Sequence, residues 1–251
     1  MRTPTPAERG AQRAATTLVH AERRGGRTVL TTLRAAAPWA PRPLRDASGS
    51  GAACVALVQT AATLLSGDDA RIELVLGDGA VLDVVETGAT VAHHVRAGPP
   101  AALSVAVTLA AGARLRWLAR PLVLAHGSAV ERETRVALAA GAQALLRETV
   151  VLGRSDEPPG ALRSRMRAVH DGRPLLHEQL DTDDLAALRS PVVVETAAVL
   201  DAIVLLGARG ADVPGSTQLA GPGTSWRALH PRGADPEPAA ARVVSAWSCD
   251  G

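Results

Sequence analysis

The residues most able to do chemistry in this chain are carboxylates set inside apolar runs. Glu148 lies in Leu145-Leu146-Arg147-Glu148-Thr149-Val150-Val151-Leu152, and Glu178 in Leu175-Leu176-His177-Glu178-Gln179-Leu180. A carboxylate in such a segment either alternates out to solvent or is buried and paired, with Arg147 or Arg154 as candidate partners. Asp68 follows Gly67 at a turn, where its ordinary task is to cap the turn. His93 and His94 are adjacent, so on a strand they point to opposite faces and cannot clamp one ion together. Nucleophilic catalysis has little to work with. No G-x-S-x-G elbow occurs, Gly127-Ser128 and Gly215-Ser216 lack its pattern, and Cys249 is close to the end of the sequence. The chain has no Lys, which removes the phosphate-binding P-loop, and Gly77-x-Gly79 lies in a turn with no helix after it, unlike a dinucleotide fingerprint.

The elements that must position these carboxylates are mostly strands. L-x-x-G-A occurs three times, at Leu76–Ala80, Leu109–Ala113 and Leu138–Ala142. Upstream stand Ile72, Leu74 and Leu76, then Val105, Val107 and Leu109, then Val136 and Leu138, each set spaced by two. Period-two patterning around a Gly-containing turn reads as strand, turn, strand, so each unit is expected to be a hairpin. Gly79, Gly112 and Gly141 follow one another at 33 and 29 residues, which suggests stacked units of unequal length. Two more hairpins are expected at Arg24-Gly25-Gly26-Arg27 and at Asp171-Gly172. Beyond Asp181 the pattern changes. A short helix is expected over Leu185–Arg189, capped by Thr182 or Asp183. Val199, Ile203 and Leu206 have helical spacing, so Thr196–Leu206 reads as a second helix, with a buried strand as the rival. The segment after Gly207 is loop-rich, with a last strand candidate at Arg242–Trp247.

Composition bounds the rest. Residues 1–15 read as a flexible start and 16–251 as one mainly β domain. Phe and Tyr are absent, and Trp supplies all of the aromatic 2%, so Ala, Val and Leu must fill the core. The absence of Lys and Asn reflects a GC-rich coding background rather than a functional demand. A net charge of +2, from 27 basic and 25 acidic residues, lacks the footprint of a nucleic-acid binder. Cys54 and Cys249 form no C-x-x-C, which fits a reducing compartment and no structural zinc. The first thirty residues hold no apolar core of a signal peptide, and Val192–Leu206, broken by Glu195 and Asp201, is too short to span a bilayer. A cytoplasmic protein with no membrane partner is expected.

Taken in order, Leu64-Leu65-Ser66-Gly67-Asp68-Asp69, Thr87-Gly88-Ala89-Thr90, Leu115-Arg116-Trp117-Leu118, Gly127-Ser128, Val151-Leu152-Gly153-Arg154 and Asp171-Gly172-x-Pro174-Leu175-Leu176-x-Glu178 form an ordered set. That set resembles the UreD family of urease accessory proteins, also called UreH. Its members carry a G-G-D turn, G-A-[ST]-K-x-Y, L-E-W-L-P, a later G-A, L-G-R and a strand with L-L-x-E. With Gly25-Gly26-Arg27-Thr28 similar to the family's opening G-G-K-T, the likeness runs from Gly25 to Leu180. Ser66 replaces the first glycine of G-G-D, Val91 stands where Lys is usual, His93 falls at the aromatic position, and Arg116 and Ala119 replace Glu and Pro.

The resemblance implies a β-helix-like stack of many strands and hairpins with about two short helices in the C-terminal part. It also implies a scaffold without catalytic turnover. Such a scaffold works with UreF-like and UreG-like partners on apo-urease and helps pass nickel through an internal tunnel towards the urease active site. No cofactor is permanently bound; Ni²⁺ is transient. Carried over position by position, Asp68 matches the G-G-D aspartate, Glu178 the L-L-x-E glutamate and Glu148 an acidic position before L-G-R, with His93 and Glu86 as secondary candidates. Ni²⁺ accepts carboxylate, imidazole and water, and transit needs sites weak enough to release it. The rival reading is a β-solenoid interaction module with no metal role, whose Arg163, Arg165 and Arg167 meet an acidic partner.

Overall fold

The computed structural model describes residues 15–46, 49–61, 64–93, 98–155, 157–184, 188, 190, 194 and 196–248. The chain opens with an antiparallel hairpin, β1 (Thr16–Arg24) and β2 (Arg27–Arg34), turned at Gly25 and Gly26, which both have positive φ. A second antiparallel pair follows, β3 (Trp39–Leu44) with β4 (Ala53–Gln59). Then the chain coils. The first coil is β5 (Asp69–Leu76), β6 (Val81–Glu86) and β7 (Thr90–Ala92); the second is β8 (Ala101–Leu109), β9 (Arg114–Leu118) and β10 (Leu122–Leu124). The third is β11 (Ala129–Leu138) and a long β12 (Gln143–Leu152). β13 (Ala161–His170) begins a fourth coil, then turns back at Asp171-Gly172 into β14 (Arg173–Asp181).

Strands of successive coils pair in parallel. β1, β5, β8, β11 and β13 form the centre of one sheet, with β2 and β14 as its antiparallel edges. β4, β6, β9 and β12 form the other sheet, and β15 (Val199–Leu206), β17 (Gly223–His230) and β16 (Ser216–Gln218) extend it antiparallel beyond β12. The core lies between the two sheets, where register stacks like positions into rows such as Leu76, Leu109 and Leu138.

The L-x-x-G-A units therefore differ from the expected hairpins. The strands flanking each turn belong to different sheets, so each unit is a corner that carries the chain across the core. Alternation alone cannot separate the two cases, because both demand one apolar face on each strand. The hydrogen bonds do separate them. Gly79 N–H donates to Ala111 O (2.8 Å) and Gly112 N–H to Ala140 O (3.1 Å), so the corners pair with the next coil. Gly79, Gly112 and Gly141 take φ of 61°, 65° and 71° to make the bend, and Ala80, Ala113 and Ala142 are fully buried just past it.

The C-terminal part carries two corrections. Thr196–Leu206 is not a helix: Val199–Leu206 is a strand, as the rival reading had it. It is covered on both faces, by the core and by the C-terminal helix, and such a strand reads as a continuous apolar run without alternation. Arg242–Trp247 is not a strand but the end of helix α1 (Glu237–Trp247), the single helix element of the described residues. Its start carries an acidic first turn and a proline, and Ala240, Val243 and Trp247 recur at helical spacing to pack on Leu145, Ile203, Leu205 and Trp226. The expected helix Leu185–Arg189 and residues 1–14 lie outside the described residues, apart from the buried Leu188.

Two glycines separate backbone strain from close approach. At Gly112 an added Cβ meets nothing within 4 Å, so Gly112→Ala should cost only the left-handed conformation, about 1–2 kcal/mol. At Gly207, also at positive φ, the Cβ would lie 1.9 Å from the carbonyl oxygen of Ala142, and Gly207→Ala should cost roughly 3 kcal/mol or more by urea denaturation.

Candidate functional site

Alternation decides which polar groups enter the space between the sheets. On β11 the inward positions are Val130, Arg132, Thr134, Val136 and Leu138; on β12 they include Leu146, Glu148 and Val150. Register then places Ala70, Leu103, Arg132, Ser164 and Leu180 in one row across the first sheet. The next row holds Ile72, Val105, Thr134, Met166 and Glu178. Both rows start apolar and turn polar at the third coil. In the second sheet Val84, Trp117 and Leu146 are in register, so Glu86 and Glu148, each two residues on, share one line.

The third coil is bridged across the core. Arg132 Nη2 donates to Glu148 Oε2 at 2.7 Å, Thr134 Oγ1 to Glu148 Oε1 at 3.1 Å, and Arg132 Nε to Ser164 Oγ at 3.0 Å. The side chains of Arg132 and Glu148 are 10% and 22% exposed, so each charge depends on the other for compensation. Two cavities meet here. One, of about 70 Å³, is lined by Trp39, Glu86, Trp117, Arg132, Thr134 and Glu148 among others. The second, of about 210 Å³, is lined by Arg132, Glu148, Ser164, Glu178 and Arg227 among others. Both have room for water.

Glu86 is the buried acid of the first cavity. Its Oε1 accepts from Trp117 Nε1 (2.9 Å) and its Oε2 from Arg120 N–H (3.0 Å). Burial pushes its carboxyl up to about 7, against the pull of those two donors and of the positive charges of Arg120 and Arg132. Glu178 stands where the second cavity meets the surface, 34% exposed, in a two-point pair with Arg227 (2.9 and 2.6 Å).

The remaining predicted residues are elsewhere. Asp68 is exposed, and its Oδ2 accepts the Leu65 N–H at 2.8 Å, which is the capping geometry of a turn. It lines neither cavity. His93 is half-buried beside Leu64, to whose carbonyl it donates its backbone N–H (3.0 Å), and it lines neither cavity; His94 lies outside the described residues. Among the described residues no three His, Cys, Asp or Glu side chains cluster as metal ligands. Sequence reasoning missed Arg132, Thr134 and Ser164. Their parity within β11 and β13 was the available signal, since each occupies the same alternate positions as buried Val136, Leu162 and Met166.

On the outer face of the second sheet lies a separate ionic cluster. Arg147 donates to both oxygens of Asp201 (2.9 and 3.0 Å) and to Glu237 Oε1 at the start of α1 (2.9 Å), while Thr149 Oγ1 donates to Asp201 Oδ1 (2.8 Å). The Arg147 and Asp201 side chains are 6% and 0% exposed. Arg147 thus does not pair with Glu148, its neighbour in the chain; the pleat sends the two to opposite faces. Arg147→Met strands a buried carboxylate and should cost about 3–5 kcal/mol by chemical denaturation, most of it recovered in Arg147→Met/Asp201→Leu. Glu237→Ala, at the exposed end, should cost less than about 1 kcal/mol.

A raised carboxyl pKa has a definite sign for stability. Below 4.5 Glu86 is protonated folded and unfolded; between 4.5 and about 7 only the folded state keeps the proton, so its contribution is lost as pH rises through that window. The wild-type stability relative to Glu86→Gln should fall by up to ~3 kcal/mol from pH 4.5 to 7.5. Urea denaturation at several pH values measures that difference, and a flat difference would mean that Glu86 ionises freely.

The chain matches the family described as UreD urease accessory protein over residues 12–247. It is 42% identical over 229 residues to Urease accessory protein UreD 1 of Streptomyces griseus, covering 90% of this chain and 89% of that relative. It is 33% identical over 221 residues to Urease accessory protein UreD 2 of Saccharopolyspora erythraea, covering 88% and 77%. At 90% and 88% of the chain both likenesses run past Leu180, the limit of the ordered motifs, and the family match reaches the helix that covers the second sheet. With the family's match spanning nearly the whole chain, the protein belongs to the UreD urease accessory protein family.

Proposed function

We propose that this chain is a non-catalytic scaffold in urease maturation that binds apo-urease together with UreF-like and UreG-like proteins. In this reading Ni²⁺ is cargo, handed through the polar interior between the two sheets. The observation that carries it is the line of carboxylates Glu86, Glu148 and Glu178 along two cavities that share Arg132 and Glu148. Hard and borderline cations exchange readily among carboxylate and water ligands, and isolated carboxylates bind too weakly to trap them. Glu86 is held protonated up to about pH 7, so a Ni²⁺ that displaces this proton leaves one net positive charge in the core rather than two. The family membership supports the urease context, and the two adjoining cavities support a route between the sheets. Asp68, at an exposed turn, belongs to the scaffold in this reading and not to the route.

A specific observation favours the rival, a protein-interaction module without a metal role: Glu148 and Glu178 are both already neutralised by arginines. One experiment separates the two. In cells expressing the cognate urease genes, Glu86→Gln/Glu148→Gln should lower urease activity at least fivefold, at unchanged urease protein and an unchanged complex with the partners. Asp68→Ala should lower it less than twofold. Full activity in the double variant would leave only the module.

A further inference from the structure

Four residues line both cavities: Arg132, Leu146, Glu148 and Met166. Leu146 and Met166 are buried and apolar, so the polar part of the junction is the Arg132–Glu148 pair alone. The pair spans the gap between the sheets, with Arg132 on β11 and Glu148 on β12. A divalent cation moving between Glu86 and Glu178 must pass the guanidinium of Arg132 at close range in a poorly solvated space, where like charges repel strongly.

We propose that Arg132 is the gate of this interior, a built-in counter-cation that closes the junction and competes with the metal for Glu148. The inference rests on the reading of the interior as a Ni²⁺ route. Glu148 is held from two sides, by Arg132 on Oε2 and by the Thr134 hydroxyl on Oε1. When Ni²⁺ reaches Oε2, the guanidinium leaves it, still tethered through Nε to Ser164 Oγ, a buried hydroxyl on the next strand. The return of Arg132 to Glu148 then expels the ion towards the Glu178 end. A long arginine with a second anchor suits this exchange, since it moves its charge without leaving the row. The pairing also keeps the junction from becoming a resting site: with the guanidinium in place no free carboxylate waits there. Glu178 and Arg227 repeat the arrangement at the surface end, where solvent weakens it.

The test uses the full chain, NiCl₂ and calorimetry, with circular dichroism to verify the fold. Arg132→Gln frees Glu148 and should bind Ni²⁺ at least tenfold more tightly than wild type, still in exchange with solution. Arg132→Lys should restore weak binding, and Arg132→Gln/Glu148→Gln should lose the added affinity. In cells Arg132→Gln should delay the ion at the junction and lower urease activation severalfold, with Arg132→Lys recovering it. If Arg132→Gln does not fold, Arg132→Met fills the same volume without charge and carries the same test. Wild-type Ni²⁺ binding by the uncharged variants would overturn the gate. Wild-type binding in those variants together with activation still lowered by Glu86→Gln/Glu148→Gln would sink the gate and leave the route standing; wild-type binding with full activation in that double variant would end both.

Discussion

Backbone hydrogen bonding that continues around the corners of the coil is the constraint on which everything else depends. Peptide groups at a corner buried against its neighbour need partners, and here the stacked corner supplies them: Arg114 N–H reaches Ala80 O at 2.8 Å and Gln143 N–H reaches Ala113 O at 2.9 Å. An unbroken ladder admits no slip of register between coils. Each inward side chain must therefore stand on the inward side chain of the coil before, and a change of residue type at one position becomes a change along a row. That is how Arg132, Thr134 and Glu148, on strands distant in sequence from Glu86 and Glu178, come to share one interior with them. At the ends of the two main ladders the sheets pass into antiparallel strands, β2 and β14 on one and β3 and β16 on the other, while the short β7 and β10 pair in parallel beside β12.

A core without Phe or Tyr suits this geometry. Ala80, Ala113 and Ala142 let the corners stack closely, and Leu and Val rows fill the space behind them. The large residues have separate tasks: Trp117, between Val84 and Leu146 in its row, donates its indole N–H to the Glu86 carboxylate, and Trp226 and Trp247 fasten α1 to the outside of the second sheet. Where the rows turn polar, packing gives way to cavities. The charges there persist because each has a partner at hydrogen-bond distance, the minimum condition for a buried ion.

The two ionic clusters on β12 show how one strand serves two ends. Alternation sends Arg147 and Thr149 outward to Asp201 and the helix, and Glu148 inward to Arg132. The outward cluster is nearly dry and ties β12, β15 and α1 together. The inward one is wetter, faces cavities on both sides and involves long side chains able to part. One strand thus carries a nearly dry ion pair on its outer face and a partly exposed, cavity-lining pair on its inner face.

Much of this was legible in the residues themselves. The ordered motifs named the family, the alternation around each L-x-x-G-A marked the strands, and Gly25-Gly26 and Asp171-Gly172 identified true hairpins, because those features depend on local conformation and on neighbours two residues apart. Whether a turn joins strands of one sheet or of two is decided by partners about thirty residues away, so the corners could not be told from hairpins. The buried strand Val199–Leu206 hid its period because both of its faces are covered, a fact of packing that no window of sequence contains. For the same reason the residues left Glu148 open between solvent and a buried pair, and could not name its partner: Arg147 adjoins it in the chain, yet the pleat turns Arg147 away and the stacking of coils delivers Arg132.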